Sequence, residues 1–212
     1  MKKGFLITFE GGEGVGKTTQ IIRLRKNLQF SQKDVVALRE PGGTVVSEQI
    51  RKVVLSSKNI GIAYTTEVLL FQAARAQIYR EIVSPSLKAK KIVLMDRSRD
   101  SSVVYQGMVR CFGVDKIDYL NNLSTNNTFP DLTFLLDAPI QVGLKRRFES
   151  KLVNRLDMEN NEFHEKVRQA YLELVKKNDH NRWIKIDATK SLKEVENDIW
   201  VNIETLIGLK AK

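Results

Sequence analysis

The fold is decided by residues 11–18, Gly11-Gly12-Glu13-Gly14-Val15-Gly16-Lys17-Thr18, which match the pattern G-x-x-x-x-G-K-[ST] of loops that bind nucleotide phosphates. Glycines in such a loop let backbone N–H groups point at phosphate oxygens, and the next helix adds partial positive charge. Lys17 is expected to reach the β- and γ-phosphates, and the Thr18 hydroxyl is expected to hold Mg²⁺. The predicted nucleotide-binding residues are Gly11, Gly12, Glu13, Gly14, Val15, Gly16, Lys17, Thr18 and Thr19.

The segments on either side of this loop fit a strand and a helix. Residues 4–9 are apolar and aromatic enough to form a buried strand. After the loop, Ile21, Leu24 and Leu28 recur at the spacing of one helix face. Because strand, glycine loop and helix is the context that the motif requires, a glycine turn without a ligand is a weak alternative.

Short apolar runs alternate with longer helical patterns along the rest of the chain. The apolar runs cover residues 5–9, 35–38, 92–95, 132–136 and 183–186, and the helical patterns cover 45–55, 66–83, 162–175 and 192–206. This alternation predicts an α/β fold with a parallel five-stranded sheet and helices on both faces. Ligands of open parallel sheets bind beyond the carboxyl ends of the strands, where Glu10, Arg39, Asp96 and Asp137 fall.

Length and composition predict one domain, residues 1–212, without a transmembrane segment. No apolar run reaches the roughly 18 residues that span a bilayer. The single cysteine, Cys111, excludes an internal disulfide and fits a reducing cytoplasm. The net charge of +10 invites a nucleic-acid interpretation, yet no aromatic residues interleave with the basic stretches, so we expect no nucleic-acid partner. Basic charge that steers anionic nucleotides explains the balance equally well.

Two charged residues after the third strand are candidates for phosphate chemistry. Asp96 ends a buried run and is expected to support Mg²⁺ together with Thr18, the alternative being a cap of the next helix. Arg97 follows at once and is suited to hold a phosphate in bidentate fashion, the alternative being a structural ion pair.

Two further sets of residues have both a functional and an ordinary interpretation. Phe71 and Arg75 share a helix face, so they can stack on a base and bond its edge, or pack as core with a snorkelling arginine. Arg147, Lys151 and Arg155 follow i, i+4 spacing if the preceding helix continues that far. They are candidates for neutralising a transferred phosphoryl group, or for a solvated basic face. The polar segment 150–161 predicts a surface loop, and we name residues 146–161 the cover segment.

Taken in order, the motifs resemble those of the thymidylate kinase family over nearly the whole chain. The resemblance rests on Phe9-Glu10-Gly11, Arg39-Glu40-Pro41-Gly42-Gly43-Thr44, the segment 70–77, Asp96-Arg97 with the segment 100–107, and the segment 130–137. The turn around Pro41 and the serine-tyrosine-glutamine segment are more specific to this family than the phosphate loop is. The resemblance implies a P-loop NTPase-type fold and a homodimer.

The resemblance also implies a role for each residue of an acceptor site. Phe71 would stack on thymine, Arg75 would bond the O4 edge of the base, and Tyr105 would exclude a 2′-hydroxyl. Arg97 would hold the dTMP phosphate, and Glu13 would lie near the sugar. The implied dTMP-binding residues are Glu13, Arg39, Pro41, Phe71, Arg75, Arg97, Ser102, Tyr105 and Gln106.

The sequence departs from the family at two places. Val15 occupies the loop position where some members carry an arginine, so the charge is expected from the cover segment, through Arg146 or Arg147 and through Arg155. Ser98 follows Arg97 where an aromatic residue or histidine is usual, which predicts a looser acceptor pocket. The expected catalytic residues are Lys17, Arg97, Arg147 and Arg155.

The implied reaction transfers the γ-phosphoryl group of Mg·ATP to dTMP, giving dTDP and ADP. One alternative is a kinase for another nucleoside monophosphate, and another is a nucleic-acid-dependent P-loop ATPase. A GTPase switch needs the motifs Asn-Lys-x-Asp and Asp-x-x-Gly, and neither occurs in the sequence.

Overall fold

The computed structural model describes residues 4–149 and 154–208, apart from the side chain of Asp179. Its strands are β1 (Phe5–Glu10), β2 (Val35–Arg39), β3 (Ile92–Asp96), β4 (Leu132–Asp137) and β5 (Trp183–Asp187). They form one parallel sheet in the order β2-β3-β1-β4-β5. The predicted five-stranded parallel sheet is confirmed, with each strand extending one residue beyond its apolar run because the polar residue that follows still pairs.

Alternate residues of the central strands enter separate cores on the two faces of the sheet. Ile7 and Phe9 of β1 pack in one cluster with Leu24 of the first helix and Ile203 of the last. Leu6, the neighbour that precedes Ile7, packs in a second cluster on the opposite face. A strand with two buried faces needs a continuous apolar run, which is the pattern of residues 5–9.

The helices are α1 (Lys17–Phe30), α2 (Val45–Val54), α3 (Tyr64–Ile78), α4 (Ser84–Lys88), α5 (Arg99–Ser102), α6 (Val114–Thr125), α7 (Ile140–Glu149), α8 (Asn161–Lys177) and α9 (Leu192–Ile207). Ile21, Leu24 and Leu28 of α1 are buried, as their spacing predicts. α2 begins where the Thr44 side chain accepts a hydrogen bond from Ser47 N, directly after the Pro-Gly-Gly turn. No helix among the described residues is long and apolar enough to cross a membrane.

Two helical segments differ in detail from their sequence patterns. The helix predicted over residues 66–83 is α3 followed by a π-helical segment, Tyr79–Val83, and then by α4, so the whole predicted range is helical. Arg147 and Arg155 share no helix face, because Asn154 is not helical and Arg155 begins a separate 3₁₀ turn, Arg155–Met158. That turn starts at Asn154, whose side chain accepts from Leu156 N, so the polar sequence favours a new cap over a continued helix. Lys151 lies outside the described residues.

Candidate active site

The phosphate loop, residues 11–18, curls between the end of β1 and the start of α1. Gly14 and Gly16 have φ of 66° and 95°, in the left-handed region that favours glycine. The Lys17 ammonium lies inside the loop and donates to the carbonyl oxygens of Gly12 at 2.6 Å and Gly11 at 3.1 Å. Burial, and next the charge of Arg97, lower the pKa of Lys17 to about 8, while Glu13 acts in the opposite direction.

α7 packs directly on the phosphate loop through a pair of glycines. A Cβ on Gly14 would stand 1.9 Å from the carbonyl oxygen of Gly143, and a Cβ on Gly143 would stand 2.2 Å from that of Glu13. A larger residue at either position would therefore separate the loop from the helix that leads into the cover segment. The Val15 side chain is buried in the core below, so only its backbone can face a nucleotide.

The Thr18 hydroxyl and the Asp96 carboxylate meet at the carboxyl end of the sheet. Thr18 Oγ1 donates to Asp96 Oδ2 at 2.5 Å, which brings a strand-end carboxylate to the first turn of α1. Two hard oxygen donors beside a phosphate loop fit Mg²⁺, which prefers a few protein oxygens and completes its shell with water and phosphate. The described residues contain no group of three or more histidine, cysteine or carboxylate side chains that could hold an ion.

Arg97 links this loop to the third strand. Its Nη2 donates to Glu13 Oε1 at 2.5 Å, and its guanidinium carbon lies 5.1 Å from the centre of the Tyr105 ring. Burial alone would raise the pKa of Glu13, but Arg97 and Lys17 outweigh it and lower the pKa to about 2. Tyr105 donates its hydroxyl to the same Glu13 oxygen at 3.0 Å. Glu13 is therefore an anion held between the Arg97 guanidinium and a buried tyrosine.

A pocket of about 340 Å³ opens beside this ion pair. Of the implied dTMP-binding residues, all except Arg39 line the pocket, together with Glu40, Ser98, Ser101 and Leu156. The structure thus brings residues from five separate parts of the chain to one cavity next to the phosphate loop.

Arg75 forms the buried back wall of the pocket and is only 2% exposed. Its Nε donates to Glu40 Oε2 at 2.8 Å, its Nη1 to Ser102 and Asn121, and its Nη2 to the carbonyl oxygen of Ser98. Burial raises the pKa of Glu40 against the charge of Arg75. The side chain is fixed by this network, so it presents a rigid cationic edge to the cavity.

Two predicted features of the acceptor site are placed differently. Arg39 points to the surface, where its Nη2 pairs with Glu48 Oε2 at 3.1 Å, and it does not line the pocket. The turn before α2 directs the Arg39 side chain outward, because Glu48 in the first turn of α2 also accepts from Gly43 N. Ser98 is fully buried, with its hydroxyl 2.9 Å from Tyr79 Oη. The Tyr79 side chain therefore lies beside the small Ser98 side chain and occupies space there.

The arginines of the cover segment diverge in space. Arg147 forms a bidentate pair with Asp157, at 3.0 and 2.9 Å, and its charge acts on Glu13 of the phosphate loop. Arg146 points away and donates to the carbonyl oxygen of Ala188 after β5. Arg155, expected near the transferred phosphoryl group, is 7% exposed and its Nη2 donates to Glu67 Oε2 at 2.5 Å. Arg155 lies in the separate 3₁₀ turn, and its side chain reaches Glu67 of α3.

The structure adds contacts that sequence reasoning did not assign, because the sequence placed Glu10 only at a strand end and gave Tyr171 and Arg51 no role. Glu10, at the end of β1, accepts from Ser98 N, from Ser101 Oγ and from Tyr171 Oη. The strand-end position of Glu10 was a usable signal, but nothing in the pattern of α8 distinguishes Tyr171 from a core residue. Arg51 of α2 donates to the Pro41 carbonyl oxygen at 2.7 Å and interacts electrostatically with Asp96.

Comparisons with known proteins agree on one family. A family model described as thymidylate kinase matches residues 9–199. The thymidylate kinase of Geotalea uraniireducens (strain Rf4) is 44% identical over 199 residues, which cover 91% of this chain and 93% of that protein. The crystal structure of thymidylate kinase from Ehrlichia chaffeensis is similar with a TM-score of 0.78 at 32% identity, covering 95% of this chain and 99% of that one.

The family match spans the phosphate loop and the strands β2, β3, β4 and β5. The chain therefore belongs to the thymidylate kinase family, a family that phosphorylates dTMP, and it is a phosphotransferase with a P-loop NTPase fold.

Proposed function

We propose that this enzyme transfers the γ-phosphoryl group of Mg·ATP to the phosphate of dTMP, giving dTDP and ADP. The observation that carries the proposal is the contact between Arg97 and Glu13, because it joins the phosphate loop to the cavity that Phe71, Arg75 and Tyr105 line. A kinase needs a donor and an acceptor phosphate within reach of each other. The loop supplies one anion site and Arg97 lies at the boundary with the other.

On the donor side, Lys17 and the loop amides would bind the β- and γ-phosphates of ATP. Lys17 already lies against two carbonyl oxygens, so binding would exchange them for phosphate oxygens. Thr18 and Asp96 would hold Mg²⁺, which neutralises charge on the phosphates when bound.

On the acceptor side, thymine would lie against the partly exposed ring of Phe71. The rigid edge of Arg75 and Ser102 would meet its carbonyl groups, with Gln106 and Pro41 nearby. Tyr105 packs under Arg97 and its hydroxyl is tied to Glu13, so its ring would fill the space that a 2′-hydroxyl needs. The Arg97 guanidinium would hold the dTMP phosphate in line with the donor.

The proposed phosphoryl transfer depends on charge stabilisation more than on proton transfer. The attacking oxygen belongs to a phosphate that is already anionic, so no strong general base is needed. Lys17, Arg97 and Arg147 would then offset the charge that spreads over the transferred phosphoryl oxygens. We assign the cover-segment role to Arg147, because its charge reaches Glu13 while Arg155 is bound to Glu67. Closure of the cover segment would exclude water, which competes as an acceptor.

A homodimer completes the proposal. α3 packs against both α2 and α6, and these helices expose large apolar side chains. Among them are Val53, Leu69, Tyr119 and Leu123, which are 47, 55, 71 and 71% exposed. A twofold interface would cover them. Sedimentation of the wild type as a dimer and of Leu69→Lys as a monomer would support this interface, whereas a monomeric wild type would exclude it.

The reaction is tested by ADP production from Mg·ATP with dTMP, dUMP, UMP, CMP, AMP and GMP supplied separately. Strong preference for dTMP supports the proposal, and equal use of dUMP shows a relaxed pocket. Preference for a different monophosphate would replace the proposed substrate. ADP that forms only with added DNA would replace the kinase by a nucleic-acid-dependent ATPase.

A further inference from the structure

Tyr171 connects α8, the helix at the end of the cover segment, to the acceptor arginine. It is 1% exposed, and its ring packs in a cluster with Leu135, Val167 and Trp183. Its hydroxyl reaches beyond that cluster to the edge of the sheet, where it accepts from Arg97 Nη1 at 3.2 Å. A buried tyrosine thus joins an apolar core to a charged site.

The Tyr171 hydroxyl also has a fixed proton acceptor. It donates to Glu10 Oε2 at 2.8 Å and lies 2.9 Å from Ser101 Oγ, which donates to the same carboxylate oxygen. Because its proton is directed to Glu10, its lone pairs face the Arg97 guanidinium. Burial raises the pKa of Tyr171 well above its usual value, which keeps the hydroxyl neutral.

Besides the Tyr105 ring, three side chains from different elements contact the Arg97 guanidinium as hydrogen-bond acceptors. Glu13 of the phosphate loop accepts from Nη2, while Ser101 of α5 and Tyr171 of α8 accept from Nη1. Of these, only Tyr171 lies on an element that leads out of the cover segment. The Arg97 backbone has φ of 67°, a conformation that costs a non-glycine residue energy and that surrounding contacts must maintain.

We propose that Tyr171 is a positioning residue for phosphoryl transfer, because its hydroxyl orients Arg97 toward the acceptor phosphate. The inference rests on the proposed function, in which Arg97 binds the phosphate of dTMP. It makes a prediction that a purely structural tyrosine does not share. Loss of the hydroxyl weakens recognition of the phosphate and leaves recognition of the nucleoside unchanged.

The test compares dTMP with thymidine, which lacks the phosphate, in binding to wild type and to Tyr171→Phe by calorimetry. Phenylalanine keeps the ring in its cluster, so only the hydroxyl contacts are lost. We expect the Kd for dTMP to rise about tenfold, which corresponds to the loss of one hydrogen bond to a charged group. The Kd for thymidine should change less than about twofold. Equal loss for both ligands, or no loss for either, would overturn the proposal.

Two controls test whether the Tyr171 hydroxyl acts through Arg97. Tyr79→Phe removes a buried hydroxyl that pairs with Ser98 Oγ, so it reports the general effect of such a loss. In an Arg97→Ala background, adding Tyr171→Phe should change the dTMP Kd less than about twofold, because the group it positions is gone. An undiminished effect there would show that Tyr171 acts elsewhere. If the proposed function is wrong, the wild type itself will not bind dTMP, and this result differs from the results expected of both controls.

Discussion

Arg97 Nη2 and Glu13 Oε1 lie 2.5 Å apart, in side chains that are only 16 and 14% exposed. Glu13 follows β1 and Arg97 follows β3, and these strands are neighbours in the sheet. The phosphate loop and Arg97 are therefore one electrostatic unit. Under the proposed function, a substitution on one side of this ion pair should also be felt on the other.

Removing either central cation should nearly abolish turnover. Lys17→Ala or Arg97→Ala is expected to lower kcat by about 100- to 1,000-fold or more, the typical loss of one charge-stabilising donor. Steady-state ADP formation with saturating dTMP measures the effect. Lys26→Ala, on the exposed face of α1, is the matched control. Near-normal turnover in Lys17→Ala or Arg97→Ala would remove that residue from the mechanism.

Phe71→Ala should act on the acceptor and spare the donor. The ring lines the pocket and is partly exposed, so its loss removes stacking of about 1–3 kcal/mol from the base. The KM for dTMP is expected to rise about 10- to 100-fold while the KM for ATP stays within about twofold. Thr66→Ala, exposed on the same helix, controls for changes in α3. A rise confined to the KM for ATP would contradict the stacking role.

The sequence was most informative where a local pattern determines the conformation. The apolar runs predicted all five strands, most directly β1, β3 and β4, whose two faces are buried and therefore need a mainly apolar sequence. The phosphate loop was predicted equally well, because Gly14 and Gly16 adopt backbone angles that few other residues tolerate. Placement of eight implied acceptor residues in one cavity came from the family resemblance, which composition alone could not supply.

The residue placements that sequence could not predict are those that a long-range contact determines. Nothing near Arg155 in sequence indicates that Glu67 binds it, because the two are 88 positions apart. Tyr171 looks like any residue on the buried face of α8 until its hydroxyl is seen 2.8 Å from Glu10. Buried polar pairs of this kind depend on how elements pack, and no periodicity encodes them.

Arg147 and Arg155 should separate into a catalytic and a structural arginine. Arg155→Ala leaves the carboxylate of Glu67, which is fully buried, with Gln106 and Arg110 on its other oxygen. Loss of one partner from a buried ion pair costs about 3–5 kcal/mol, so we expect a marked fall in the free energy of unfolding. Arg147→Ala breaks a more exposed pair with Asp157 and should be milder for stability.

Urea unfolding and kcat, measured on both variants, distinguish these roles. Arg147→Ala is expected to lower kcat at least about 100-fold with a small change in the unfolding midpoint. Arg155→Ala is expected to shift the midpoint more strongly. The assignment would be reversed if Arg155→Ala kept the wild-type midpoint and lost turnover while Arg147→Ala remained active.

The charge of Glu13 should set the pH range in which ATP binds. The ammonium form of Lys17 is needed for the phosphates, and its pKa of about 8 in the free enzyme is sustained by Glu13 against burial and Arg97. The affinity for ATP should therefore fall as the pH rises through about 8. Glu13→Gln removes the charge that raises the Lys17 pKa, so the fall is expected to begin at lower pH.

Titration of Mg·ATP binding from about pH 7 to about pH 10 measures this shift, since a change of one pKa unit moves the midpoint by one pH unit. Glu173→Gln, exposed on α8, removes a carboxylate of the same kind without contact to the loop and should match wild type. Arg97→Ala provides the opposite sign, because loss of a neighbouring positive charge raises the pKa of Lys17 and moves the midpoint upward. Identical midpoints in all variants would mean that the pKa of Lys17 does not depend on the charges of Glu13 and Arg97. The phosphate loop and Arg97 would then be electrostatically independent.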